Sequence, residues 1–157
     1  MTNISVPAAA KAPRDLSRDE RDTLGRVAAV LIPAHNGAPA ANAEPGFWEG
    51  LTLALDARAD AFGDIAAALH GCAHSESEEL WTRLRSLDSD HPAGFQALSA
   101  VIACAWLLTP GVRHRIGYRG QLSVKASLEE AVDEIDSGVL DPVLERNHRF
   151  VREPRGQ

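Results

Sequence analysis

The stretch that most constrains this chain is "ALSAVIACAWLL", residues 97–108. It is a run of twelve residues interrupted by one serine. A bilayer crossing needs roughly 20 such residues, and a strand takes about 4–8. A run of intermediate length with no turn signal inside it reads as a buried helix. Because it is apolar nearly all round, it has to be covered on every side. The fold must therefore be a layer of other helices, with a partner surface supplying whatever cover that layer lacks.

Those helices can be read along the chain. Ser17 and Glu20 form a capping box, Leu24, Val27, Ala28 and Leu31 share the face that follows, and Pro33 is the stop. "AHNGAPAANAEPG", 34–46, is a long connection that suits a binding loop or a spacer equally. A second helix starts near Phe47 with Phe47, Leu51, Ala54, Leu55 and Arg58 on one stripe. It runs on or breaks near Gly63, with Ile65, Ala68 and Leu69 packing inward and Gly71 as C-cap. Ser75 and Glu78 repeat the capping pattern before a face of Leu80, Trp81, Leu84 and Leu87, and Asp90 and Pro92 introduce the central helix. Ser127 and Glu130 cap a further helix, with Leu128, Ala131, Val132 and Ile135 toward the core and Gly138 at its end. "VLDPVLERNHRFVREPRGQ" adds a turn or two.

No stretch shows period-two alternation of β-branched residues, and no repeat of 20–50 residues occurs. The expectation is an all-α fold: one compact domain of five or six helices over 16–150, a mobile tail at 1–15 and a basic tail at 151–157. A chain of 157 residues, 45% hydrophobic, can bury one core unaided. A net charge of -6 excludes a general nucleic-acid binder, which would carry a basic stripe. Cys72 and Cys104 fit no dense disulfide framework; sitting among apolar or small residues, they suit free buried thiols, with one bridge as the alternative. The first twenty residues lack an apolar core behind a basic head, so no signal peptide is expected.

Candidate chemistry is sparse. His70 and His74 flank Cys72 in "HGCAH"; an unbroken helix would bring both imidazoles to one metal, but Gly71 argues against it and favours a surface or capping role. His35 lacks a nucleophile that the sequence can locate. Glu129, Glu130, Asp133, Glu134 and Asp136 follow the solvent side of their helix, as a solvated face or one that meets a basic partner does. No nucleophile elbow, phosphate loop or dinucleotide glycine fingerprint occurs, so no catalytic, cofactor-binding or metal residue is assigned. What stands out is "LLTPGVRHRIGYRGQ" at 107–121. Pro110 ends the apolar helix, Gly117 and Gly120 permit a tight turn, and Arg113, Arg115, Tyr118 and Arg119 are presented around it. Trp81 and Trp106 fit core faces, whereas Trp48, just after Pro45–Gly46, suits either a core or an interface. Trp48, Arg113, Arg115, Tyr118 and Arg119 are thus the candidate partner contacts.

The order of the pieces carries a resemblance. Leu31–Ile32–Pro33 ends the first helix, "EPGFWEGLTLAL" and "HPAGFQALSAVIACAWLL" follow, and "IGYRG" (116–120) closes the series. Over residues 16–121 this resembles the gluconate 2-dehydrogenase subunit 3 family, the small subunits of flavin-dependent alcohol and sugar dehydrogenases. Arg119 stands where that family usually has proline. The resemblance implies an all-helical, non-catalytic accessory subunit that binds a large FAD subunit of the glucose–methanol–choline (GMC) type and holds no cofactor itself. Family members often carry a twin-arginine signal; its absence here makes a cytoplasmic complex the expectation, or periplasmic placement by co-export. The rival expectations are a stand-alone metal-binding protein built on His70 and His74, and a self-associating helical domain.

Overall fold

A computed structural model describes residues 10–120, 127–139 and 141–145, without the side chains of Ser77, Ala131, Val143 and Leu144. The chain divides into two compact units, Met1–Arg119 and Gly120–Gln157. Among the described residues the structure is all-α, its one β feature an isolated bridge between His35 and Ala38. The first unit contains α1 (Arg18–Leu31), α2 (Phe47–Ala57), α3 (Phe62–Cys72), α4 (Ser77–Asp90), α5 (Pro92–Leu107) and α6 (Pro110–Arg115), with 3-10 turns at Ala41–Ala43 and Ala59–Ala61. The second contains α7 (Leu128–Asp136) and α8 (Asp141–Glu145). No described helix is long and apolar enough to cross a membrane.

In the first unit α5 is the axis. It packs chiefly on α2, then on α3 and α4, while α1 covers α3 and α4. Leu24, Phe47, Ile65, Leu69, Leu80, Leu84, Leu98 and Ile102 are out of water. Gly50 sets the closest approach, since a Cβ there would lie 2.7 Å from the Ala105 carbonyl oxygen.

Local signals decide where the helices begin and end. At α1, Ser17 Oγ accepts from the Glu20 amide (3.2 Å) and Glu20 Oε2 accepts from the Ser17 amide (2.7 Å). Ile32 is the C-cap, one residue before Pro33. The connection from 34 to 46 uses two compact turns. Asn36 (φ 47°) and Gly37 (φ 80°) form a tight turn closed by paired His35–Ala38 hydrogen bonds, and Glu44–Pro45–Gly46–Phe47 is a type II turn with Gly46 at φ 88°.

Of the two alternatives for the second helix it is the break that occurs, at the 3-10 turn Ala59–Ala61, with Gly63 itself just inside α3. Several expectations need correction. Gly71 is also helical, and Ala73 is the cap. The capping box expected at Ser75 does not form: α4 starts at Ser77 after Glu76, without a side-chain cap. Arg26 reaches across from α1 and donates to the Ser75 (2.6 Å) and Ala73 (2.7 Å) carbonyls, so this connection is held from outside. Trp81 is exposed beneath Arg85 because Leu80, Leu84 and Leu87 already fill the inward stripe one position round. Both cysteines are free, but only Cys72 is buried; Cys104 faces solvent. Leu128, Val132 and Ile135 are exposed rather than in a core. The tail expected to run to residue 15 is in place from Ala12, whose amide donates to Asp56 Oδ1 (3.0 Å). Residues 1–9 and the basic tail at 151–157 lie outside the described residues.

Candidate functional site

The segment 107–120 is built around the short helix α6 with shaped ends, and is not a plain loop. Thr109 Oγ1 accepts from the Val112 amide, and Pro110 opens α6 at the position where proline costs no hydrogen bond. Gly117 (φ 69°) then stops α6: its amide donates to the His114 carbonyl (3.1 Å), and the Tyr118 amide donates to the Arg113 carbonyl (2.9 Å). This is a Schellman stop, which needs a left-handed residue at the glycine position. It turns the Tyr118 ring back against the Arg113 guanidinium, 5.8 Å from the ring centre.

The turn forms one wall of an open groove of about 520 Å³. Leu53, Ala57 and Arg58 come from the outer side of α2, and Cys104, Leu107 and Leu108 from the end of α5. Arg113, Ile116 and Tyr118 complete it. Leu53 is 62% exposed, Ile116 59%, Tyr118 52% and Leu107 45%, so four large side chains leave about half their surface in water in one place. Contiguous apolar surface of this kind marks a binding site more often than scattered leucines do. The central helix, which had to be covered on every side, is left uncovered at Cys104 and Leu107.

An ion pair with a buried carboxylate and a half-exposed guanidinium braces the groove. Arg115 donates through both terminal nitrogens to Glu44 (2.7 and 3.3 Å), a side chain only 2% exposed. The same carboxylate needs Gly111, where a Cβ would collide with Glu44 Oε1. The Pro45–Gly46 turn lies against the Pro110 ring, 3.4 Å from a Cβ at Gly46. The long connection is thus a brace for α6.

Of the five candidate contacts, the structure brings Arg113 and Tyr118 together in the groove. Arg115 lies behind it and is engaged by Glu44, and Arg119 is exposed beyond the turn. Trp48 is elsewhere: Arg21 stacks over its ring at 4.2 Å, Phe47 meets it edge-on at 5.3 Å, and Gly25 makes room for it. The sequence reading missed Leu53, Leu107 and Ile116. Leu53 carried a signal, being a leucine off the Phe47–Leu51–Ala54–Leu55 stripe.

The histidine pair is not assembled. His70 is exposed on α3, His74 lies past the helix end, and among the described residues no three potential ligands come together. Burial pushes the Cys72 thiol up, against the opposing pull of Arg83 and Arg26, which keeps it a thiol rather than a reactive thiolate. Comparison of the chain with protein-family models, with curated proteins and with solved structures finds no match.

Proposed function

We propose that this chain is a non-catalytic small subunit that binds and stabilises a large FAD-dependent oxidoreductase of the GMC type, which oxidises an alcohol or a sugar. The observation that carries this reading is the groove. It is lined by Ile116 and Tyr118 of the "IGYRG" segment, one of the pieces whose order carries the resemblance to the gluconate 2-dehydrogenase subunit 3 family, and by the end of the central helix that the chain leaves bare. Interface centres favour Tyr and Arg set among apolar side chains, and Tyr118 over Arg113 with Leu53, Leu107 and Ile116 around them matches that composition. In this reading the flavin is held by the partner, and the small subunit contributes shelter for apolar surface on both sides.

The test is co-expression with a large flavoprotein subunit of the GMC type. A yellow complex is expected to co-purify, and Tyr118→Ala or Leu53→Asp should weaken it on the order of tenfold or more. Arg83→Ala, outside the groove, should leave it intact. A complex that survives both groove substitutions would remove the reading.

A further inference from the structure

α7 is suited to fill such a groove. Leu128, Val132 and Ile135 stand at i, i+4 and i+7, the spacing of helices that lay an apolar face into a groove, and they are 82, 47 and 57% exposed. Glu129, Glu130, Asp133, Glu134 and Asp136 share the helix with them, and no Lys or Arg occurs from 128 to 145. Its ends are finished locally, by the Ser127–Glu130 capping box and by Gly138 at φ 80°. A helix of nine residues is nevertheless marginal in water unless its apolar side packs on something.

The groove offers the opposite chemistry. Its apolar lining includes Leu53, Leu107 and Ile116, and its charged lining is Arg58 and Arg113. Arg58 also contacts Asp60 at 3.4 Å, while Arg113 has the Tyr118 ring and, among the described residues, no carboxylate partner. We infer that the groove of one copy receives α7 of a second copy, in a two-fold dimer that makes the contact twice. Apolar side chains would meet the apolar lining, and the acidic flank would meet the two arginines. One helix about 13 Å long, at 1.5 Å rise per residue, is too small for a stable interface, which buries roughly 1,200–2,000 Å². Reciprocal pairing doubles the contact, as closed two-fold symmetry requires. This goes beyond the small-subunit reading and does not rest on it; the two occupants compete for one groove, and the dimer is the form the chain takes without its large partner.

The test is the mass of the full chain by light scattering or sedimentation, from about 1 to about 100 µM, the range in which contacts of this size dissociate. A dimer is expected, weakened several-fold by molar salt because the arginine–carboxylate pairs are exposed. The double substitution Val132→Asp/Ile135→Asp in the helix, or Leu53→Asp/Ile116→Asp in the groove, should each give a monomer with unchanged helical circular dichroism. Mixing the two variants should restore a weaker mixed dimer, since one intact helix then meets one intact groove. A wild-type monomer throughout the range overturns the inference, as does a dimer that both variants retain. A monomer that still forms the yellow complex rejects only the dimer, whereas a dimer with no flavoprotein complex rejects only the proposed function.

Discussion

α5 and α7 both carry more apolar surface than water tolerates, and their surroundings differ. α5 is apolar nearly all round, and α2, α3 and α4 take Leu98, Val101, Ile102 and Ala105 out of water, leaving the Cys104–Leu107 corner open. α7 gathers its apolar residues into one stripe beside its carboxylates, and Leu128, Val132 and Ile135 of that stripe are exposed. Apolar content alone does not separate the two. What separates them is that α5 has three helices of its own unit packed on it.

The contrast is exposed most sharply by a pair of truncations. Leu98→Ala should lower the unfolding free energy by about 2–5 kcal/mol, because it opens a cavity on the sealed side of α5. Ile135→Ala should change it by less than about 0.5 kcal/mol in dilute protein. Urea unfolding reads both, and equal losses would erase the distinction. Next in size is a pair of glycines that tests how tightly α5 is gripped. Gly50→Ala puts a Cβ against the Ala105 carbonyl and should cost about 1–3 kcal/mol. Gly63→Ala meets open space within α3 and should stabilise by about 0.5–1 kcal/mol, so the two shifts in Tm should have opposite signs.

The smallest effect concerns the helix starts. Both α1 and α7 begin with a capping box, but α1 has Arg14 beside its Glu20, paired at 2.7 Å. The hydrogen bonds from Arg14, with help from Ser17, hold the Glu20 carboxyl down at about 2. A carboxyl lowered on folding contributes stability above its ordinary value and loses it as pH falls toward the lowered one. The Tm difference between wild type and Glu20→Gln should therefore be fully present at neutral pH and close between about 4.5 and about 2. A difference constant over that window would show that the pair contributes nothing.

Most helix boundaries were legible because their causes are local. Ser17 with Glu20, Ser127 with Glu130, Pro33 and Gly138 act within a few residues of themselves, and each does what its spacing indicates. Three of the failures are non-local. Ser75 loses its capping role where Arg26, 49 residues away, holds its carbonyl. Trp81 and Cys104 have core-like neighbours in sequence but stand just outside what the surrounding helices reach. The site was half legible. The glycine stop and Tyr118 could be read from "IGYRG", whereas the partners of Arg115 and Trp48, which draw those two away from the groove, depend on Glu44 and Arg21 arriving from other elements.

The Glu44–Arg115 pair has a consequence for how the groove behaves when nothing occupies it. The 34–46 connection and the end of α6, joined by residues 71 apart, are bolted together behind its wall, so the groove is held in form instead of collapsing onto its own leucines. A receptor already set in its bound shape gives up little freedom when a ligand arrives, and such preorganisation raises affinity without any added contact. The brace, itself never touched by the visitor, would thus be felt in how long the visitor stays.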